Sequence, residues 1–306
     1  MPSILSPRAI LRILLGVLVL WSSLADAAAG QASAPSMVES DPRVVRLLPR
    51  TYPLERLRVD ARRYPWSAIG LVSILGGRHA CSGVLLSERH VLTAAHCVAP
   101  FQRFPREIHF LAGFQQDQYV AHSRARRVIV NPRFRMGSPS LSLFSRDWAL
   151  LALEKPIGRK AGYLGWARLT PKALERLGHD GNDFRLAGYR HDRRFVQTVD
   201  HRCQVVGFLE QGRLLRHRCP LTFGDSGGPV LMPFDDGLLV VGIDVGVQRS
   251  PSPSKGDVTR TGYAVTAVGF ESGLRQIGLP GRTLDGKRSL IGRKGHPPTK
   301  VTPSNH

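Results

Sequence analysis

Several features that mark membrane and metal-binding proteins are scarce in this chain. Its apolar stretch near the N-terminus, residues 13–21, is nine residues long, far short of the ~20 that cross a bilayer, and no other segment is apolar enough to span one. The four cysteines include no closely spaced Cys-x-x-Cys pair, which disfavours a zinc site. No internal repeat is visible, and few long segments carry helical periodicity. We therefore expect a mature chain without a membrane span and with little helix.

Acidic residues are also scarce. The chain has 43 Lys and Arg against 23 Asp and Glu, a formal net charge of +20, with basic clusters at 124–127 and 190–194. Such charge can attract an anionic partner, for example envelope polymer, nucleic acid or an acidic substrate. The clusters lack interleaved aromatic residues, and no nucleic-acid motif accompanies them. The sequence therefore favours a solvated, arginine-rich surface and leaves an anionic partner as the alternative.

The four cysteines form two pairs with equal spacing. Cys81 and Cys97 are 16 residues apart, and so are Cys203 and Cys219. Pairing between neighbours is the simplest of the three connectivities that four cysteines allow. Such disulfides indicate an oxidising compartment. The first would close a loop around His96, which the chain-entropy model values at roughly 3 kcal/mol.

The N-terminal residues indicate export. Met1 to Arg12 carry Arg8 and Arg12, the apolar core follows, and small residues occupy 22–29 with a possible cleavage site at Ala25-Asp26-Ala27. This arrangement is typical of a secretory signal peptide. The alternative, an uncleaved membrane anchor, is disfavoured by the short apolar core. We expect a periplasmic or secreted protein.

The richest motif is the glycine-rich hexapeptide from Gly224 to Pro229, Gly-Asp-Ser-Gly-Gly-Pro, with Ser226 at its centre. A serine hydroxyl becomes a good nucleophile only when a base takes its proton and backbone donors hold the oxyanion that forms. Glycines allow the sharp turn that such donors need. By itself the motif could equally be an ordinary tight turn, so partners decide its meaning.

Two partners lie upstream. His96 stands in the run Leu92-Thr93-Ala94-Ala95-His96-Cys97, directly before a cysteine. Asp147 precedes the apolar, strand-like run from Trp148 to Leu153, where an acid costs desolvation unless a partner accepts its charge. A base, a carboxylate that orients it and a nucleophile are the components of a catalytic triad. In isolation His96 would be a packed residue or a metal ligand, and Asp147 a strand-end cap.

With these motifs in the order His, Asp, Ser, the chain resembles the trypsin and chymotrypsin superfamily of serine endopeptidases, in its bacterial exported type. The resemblance covers roughly residues 64–275 and also rests on Tyr64-Pro65-Trp66. It implies that Ser226 is the nucleophile, His96 the general base and then acid, and Asp147 its orienter. It also implies an oxyanion hole formed by the N–H groups of Gly224 and Ser226.

The fold that the resemblance implies is all-β, with two packed six-stranded antiparallel Greek-key barrels and a short C-terminal helix. The length of 306 residues fits one large all-β unit with terminal extensions. Patterns of Val, Ile and Leu predict strands at 68–75 and 238–243, and helices are predicted at 171–177 and about 268–277. We expect a signal peptide at 1–29, a pro-peptide, linker or arm at 30–63, a protease domain at 64–278 with barrels at about 64–158 and 159–278, and a basic disordered tail at 279–306.

The acid before the nucleophile, Asp225, raises the question of activation. In many members of the family a freed N-terminus, usually Ile or Val followed by glycines, pairs with this acid. No such sequence precedes Tyr64. We therefore expect Asp225 to pair with an internal cation or to accept hydrogen bonds from the main chain.

The resemblance also implies a substrate pocket. The residues expected to line this pocket are Pro220, Leu221, Asp244, Gly246 and Gly262. Trypsin-like enzymes that cleave after Lys or Arg place an aspartate at the floor position, which is Pro220 here, so an apolar or small side chain is expected before the scissile bond. Asp244 could restore some preference for cations if it points into the pocket.

Two functions are compatible with these sequence features. The first is an exported serine endopeptidase that acts on proteins or peptides through an acyl-enzyme intermediate, without a cofactor or metal. The second is a binding protein on a protease scaffold that attaches to anionic polymers or nucleic acid through its basic surface. Inactive relatives usually lose a triad member, whereas this chain retains all three, so the enzyme is favoured.

Overall fold

A computed structural model describes residues 56–137, 140–179, 184–235, 237–251 and 258–284. The predicted signal peptide and most of the predicted pro-peptide or linker lie outside these residues, as does the predicted tail from residue 285 onward. Within the described part of the chain, no helix combines the length and apolar character needed to cross a membrane.

The described part of the chain begins with a two-residue strand of the second half and then builds a closed barrel. Strand β1 (Leu57–Arg58) is followed by the six barrel strands, which are β2 (Ile69–Ile74), β3 (His79–Leu85), β4 (His90–Thr93), β5 (Ile108–Ala112), β6 (Ala121–Val130) and β7 (Ala149–Leu153). Their order around the barrel is β2-β3-β4-β7-β6-β5. In β5 buried residues alternate with half-buried ones, as expected for a strand with one face in the core.

The second half is a ten-stranded sheet. Its further strands are β8 (Gly165–Leu169), β9 (Phe184–Gly188), β10 (Thr198–Cys203), β11 (Val205–Leu209), β12 (Leu214–His217), β13 (Pro229–Phe234), β14 (Gly237–Pro251), β15 (Val258–Thr266) and β16 (Arg282–Leu284). Eight strands follow the order β1-β10-β9-β13-β14-β15-β12-β11, and β8 pairs with both β14 and β16. The all-β prediction is confirmed. The second sheet exceeds the predicted six strands because β1, β8, β11 and β16 add to it.

Both predicted helices are present. The helices are α1 (Ala95–Val98), α2 (Leu141–Phe144), α3 (Gly158–Ala161), α4 (Pro171–His179) and α5 (Ala267–Gln276). Single 3₁₀ turns occupy Trp66–Ala68, Ala99–Phe101, Pro105–Glu107, His191–Arg193 and Glu210–Gly212. Helix α5 begins at a Thr266 cap, whose side chain accepts a hydrogen bond from the Val268 N–H.

The ordered fold extends past both predicted limits of the protease domain. At the N-terminal end, Leu57 and Arg58 in β1 pair with β10, although the sequence places them in a linker or arm. At the C-terminal end, Arg282 to Leu284 pair in parallel with β8, within the segment from residue 279 that the sequence predicts to be a disordered tail. Leu284 is buried in the core of the second half, which explains why the strand forms.

Candidate active site

His96 and Asp147 meet at the end of two paired strands. Strands β4 and β7 run antiparallel, with Thr93 opposite Ala149, so α1, which follows β4, lies beside the residues that precede β7. Asp147 Oδ2 is 2.6 Å from His96 Nδ1, and Asp147 Oδ1 accepts the His96 backbone N–H at 2.8 Å. Both carboxylate oxygens therefore hold one residue, which fixes the orientation of the imidazole.

The environment of His96 favours its protonated form. Burial opposes the charge, but the hydrogen bond and negative charge of Asp147, with a further contribution from Asp244, outweigh it and raise the pKa of His96 above its usual value of 6.5. The side chain of His96 is one-third exposed and that of Asp147 is 6% exposed. The carboxylate is thus largely shielded from water, which strengthens its attraction for the imidazolium.

Ser226 lies in a turn whose backbone N–H groups divide into two sets. Gly227 N–H donates to the Asp244 carbonyl at 2.7 Å, Gly228 N–H to the Asp225 carbonyl at 2.7 Å, and Asp225 N–H to the Thr222 carbonyl at 3.3 Å. Within the described residues, the N–H groups of Gly224 and Ser226 have no acceptor. These are the two donors that the sequence predicts for the oxyanion hole, and they are left available for a ligand.

The serine turn lies against the segment that leads to His96. A Cβ placed on Gly227 would be 2.3 Å from Thr93 Oγ1 and 2.8 Å from the Ala94 nitrogen, closer than side-chain atoms can approach. Gly227 also has a φ of +80°, which favours glycine. Only glycine therefore lets the turn bearing Ser226 approach the start of α1, and the three predicted triad residues are brought to one region.

Ser82, on β3 of the first barrel, forms hydrogen bonds with the turn that bears Ser226. No sequence motif marks Ser82 as a residue of this site. Its Oγ donates to the Gly224 carbonyl at 2.8 Å and accepts the Tyr189 N–H at 2.8 Å, while its N–H donates to the Ser226 carbonyl at 2.8 Å. The neighbouring residue, Cys81, is joined to Cys97 beside the histidine. Residues 81 and 82 thus tie the predicted base and the predicted nucleophile to one strand.

Both predicted disulfides are present. Cys81 is bonded to Cys97 and Cys203 to Cys219. The second joins the last residue of β10 to the segment after β12, and these strands stand near opposite ends of the sheet order. It therefore brings the two ends of the second sheet together, shortly before the turn that bears Ser226.

Asp225 is fully buried. It has both kinds of partner that the sequence predicts for it, an internal cation and a main-chain N–H group. Its Oδ1 forms an ion pair with the Arg56 guanidinium, and its Oδ2 accepts the Thr222 N–H at 3.0 Å. Burial raises the pKa of Asp225, while the charge of Arg56 opposes that rise. The sequence places Arg56 in a linker or arm, so its role as the buried cation is new information from the structure.

The predicted pocket residues occupy the second half near this turn. Leu221 belongs to the core of the second sheet. A Cβ on Gly262 would overlap the imidazole ring of His217 and a methyl group of Leu221. Gly246 faces Phe144 in the same way, and Pro220 is half-buried. Their roles in binding substrate stay a prediction.

Asp244 lies against His217 in the interior, although among the described residues neither His217 Nε2 nor Asp244 Oδ1 makes a hydrogen bond. His217 Nε2 lies 3.3 Å from Asp244 Oδ1, and both side chains are buried. Burial raises the pKa of Asp244 to about 6, against the opposing effect of His217. Nothing in the local sequence marks His217 as the neighbour of Asp244.

Comparison with known proteins agrees with this geometry. The model of the Trypsin family matches residues 58–265. The chain belongs to the trypsin family, a family of serine endopeptidases. The match begins at β1 and ends in the last strand before α5, so it includes every residue of the predicted triad. The expectation of a bacterial exported type stays a prediction.

Relatives within the family are distant. Snake venom serine proteinase 12 of Crotalus adamanteus is 27% identical over 195 residues, which is 55% of this chain and 69% of the relative. Complement C1r-B subcomponent of Mus musculus is 35% identical over 102 residues, 31% of this chain and 14% of the relative, so the chain spans only a small part of that protein. A solved structure of a Glu endopeptidase in complex with MPD has a TM-score of 0.51 at 20% identity and covers 71% of this chain and 93% of its own. This last likeness shows the fold.

Proposed function

We propose that the chain is an exported serine endopeptidase that uses Ser226, His96 and Asp147 as its triad. His96 takes the Ser226 hydroxyl proton as Oγ bonds to the scissile carbonyl carbon, and then gives that proton to the leaving amine as the peptide bond breaks. A water, deprotonated in turn by His96, releases the acyl group and restores the serine. Asp147 keeps the imidazole oriented through its 2.6 Å contact with Nδ1.

One observation carries the proposal. Of the five N–H groups from Gly224 to Gly228, those of Gly224 and Ser226 alone lack an acceptor within the described part of the chain. The free pair flanks a buried Asp225, in a turn that lies against the start of the helix bearing His96. Preorganised N–H groups at the site of developing negative charge stabilise a tetrahedral oxyanion.

The test is covalent labelling. A fluorophosphonate reacts with an activated serine, so purified protein should carry the label on Ser226 when the adduct is mapped by mass spectrometry. His96→Ala should label at least 100-fold more slowly, since general-base catalysis contributes roughly 10²–10⁴-fold. Ser272→Ala, at an exposed serine of α5, serves as the control and should label like the wild type. An unlabelled Ser226 in folded protein, or equal labelling of His96→Ala, would refute the triad.

For the residue before the scissile bond, we propose an apolar or small side chain. The burial of Asp244 against His217 supports this, because a carboxylate enclosed by the protein is poorly placed to bind a substrate cation. The structural neighbour is described as a Glu endopeptidase, so acidic residues belong in the test. A peptide-library digest should show cleavage mainly after apolar or small residues, and cleavage mainly after Lys, Arg or Glu would contradict the proposal.

Export is supported by the two disulfides, which persist in oxidising compartments, and by the N-terminal sequence. We propose that residues 1–29 are removed during export and that the protein acts in the periplasm or the medium. Proteins and peptides are the substrates expected of a trypsin-family member.

A further inference from the structure

The N-terminal strap, residues 56–59, is attached to the second half of the molecule beside the serine turn. Leu57 and Arg58 pair with Val199 and Thr198 of β10, and the Val59 N–H donates to the Gln197 carbonyl at 3.4 Å. Leu57 and Arg58 are exposed, whereas Arg56 is only 3% exposed. The strap thus directs a single charged side chain into the interior.

Inside the protein, the Arg56 guanidinium joins two parts of the second half. Nη1 pairs with Asp225 Oδ1, and Nη2 donates to the Thr198 carbonyl at 2.8 Å. The contact with Asp225 spans 169 residues of sequence. A planar guanidinium with several donors suits this double contact better than an ammonium does.

Asp225 stands between Gly224 and Ser226, the two residues of the turn whose N–H groups have no acceptor in the described part of the chain. Its carboxylate is held at one oxygen by Arg56 and at the other by Thr222. A buried carboxylate that loses its cation must take up a proton or turn toward water. Turning Asp225 outward would rotate the peptide units on either side of it, which carry the two N–H groups.

We propose that Arg56 is a positioning residue that holds the oxyanion-binding conformation of the serine turn through Asp225, with a side-chain cation supplied by the strap. The inference rests on the proposed protease function. It follows that the turn is set by the chain itself and that a newly cut N-terminal amine is not needed to pair with Asp225. Forms of the protein that differ in how much chain precedes residue 56 should therefore share one turn conformation.

The first measurement does not depend on catalysis. Amide hydrogen exchange, followed by mass spectrometry on peptides covering 222–228, should be faster in Arg56→Met than in the wild type by at least tenfold. Arg58→Met, which removes an exposed arginine two residues away, is the matched control and should leave exchange in this segment unchanged. Wild-type exchange in Arg56→Met would overturn the inference, whatever the catalytic result.

The second measurement is a double-mutant cycle on turnover of a peptide substrate. Arg56→Met should lower kcat about 100-fold with a smaller effect on KM, since loss of an oxyanion-hole donor costs roughly 10²–10³ in kcat. If Arg56 acts through Asp225, adding Arg56→Met to Asp225→Asn should cause little further loss. Additive losses would mean that Arg56 acts elsewhere and would overturn the inference while leaving the protease function intact.

Arg56→Lys covers the case in which Arg56→Met fails to fold, as judged by near-ultraviolet circular dichroism. Lysine keeps the charge but cannot reproduce the double contact with Asp225 and Thr198, so we expect intermediate exchange and intermediate kcat. Full wild-type behaviour of both Arg56→Lys and folded Asp225→Asn would refute a positioning role. Inert wild-type protein in the fluorophosphonate assay would instead refute the protease function, and the exchange experiment would still decide the role of Arg56.

Discussion

At the residue scale, the arrangement of Asp147 determines the acid–base properties of His96. One carboxylate oxygen binds the ring and the other binds the backbone of the same residue, so the acid cannot turn away without losing two hydrogen bonds. A carboxylate held in this way stabilises the imidazolium whenever it forms. The same contact that orients the base therefore also raises its pKa.

The pH dependence of catalysis should report this contact. In the proposed mechanism His96 must be neutral to act as general base, so kcat/KM should fall as the pH drops through the pKa of His96, which lies above 6.5 because Asp147 outweighs the effect of burial. Asp147→Asn should lower kcat by about 10⁴-fold and move the acid limb to lower pH. The measurement is a pH–rate profile, with Asp117→Asn, at an exposed aspartate, as the control. An acid limb below pH 6 in the wild type would contradict the prediction.

Local sequence explains why some residues of the proposed site carry a recognisable pattern and others do not. His96, Asp147 and Ser226 each stand in a short motif whose composition reflects its chemistry. Arg56 and Ser82 have ordinary surroundings, and they matter only because the fold brings them to a turn more than 140 residues away. Contacts at such separations depend on strand order, which composition and periodicity do not specify.

At the scale of elements, helix α5 supports the residue that precedes β7. Phe270 and Leu274 of the helix are fully buried, and Gly273 faces the Trp148 ring, where an added Cβ would be 2.5 Å from the nearest ring carbon. Trp148 directly follows Asp147. The helix was predictable from the family resemblance, whereas its close approach to the tryptophan was not, since a glycine in a helix has several explanations.

Gly273→Ala should therefore destabilise the protein even though alanine is the better helix former. Overlap with a rigid ring forces a shift of the helix or the ring, and overpacking of this kind costs about 1–3 kcal/mol. We expect a lower midpoint of urea unfolding and reduced kcat, because Trp148 and Asp147 move together. Ser272→Ala, on the exposed side of the same helix, should unfold at the wild-type midpoint or slightly above it. A more stable Gly273→Ala protein would refute the close packing.

At the scale of the whole molecule, both ends of the described chain are incorporated into the second sheet. Strand β1 lies at one end of the strand order, and β16 pairs with β8. The Leu284 carbonyl accepts the Thr170 hydroxyl at 2.9 Å, and its side chain is buried. The sequence predicted the barrels but not these additions, because a strand of two or three residues carries too little pattern to recognise.

Truncation should locate the true end of the folded domain. A chain ending at residue 281 loses β16 and exposes core that Leu284 covers, a loss of about 2 kcal/mol for one buried leucine, which corresponds to a fall in Tm of roughly 5 °C for a domain of this size. A chain ending at residue 284 should keep the Tm of the full-length protein. Thermal unfolding followed by circular dichroism distinguishes the two. Equal Tm values for both truncated forms would show that β16 does not contribute to stability.

The hydrogen bonds of Ser82 imply that the active site is completed late in synthesis and folding. Three of its hydrogen bonds join β3 to Tyr189, Gly224 and Ser226, across 107 to 142 residues for the two side-chain bonds. Closing loops of that size is slow compared with local structure formation. A ribosome-bound chain that has completed only its first barrel contains His96 and Asp147 but neither the nucleophile nor the carbonyls that Ser82 binds. The incomplete protein is thus unable to cut its neighbours during synthesis, and the ability to cleave appears only with the finished fold.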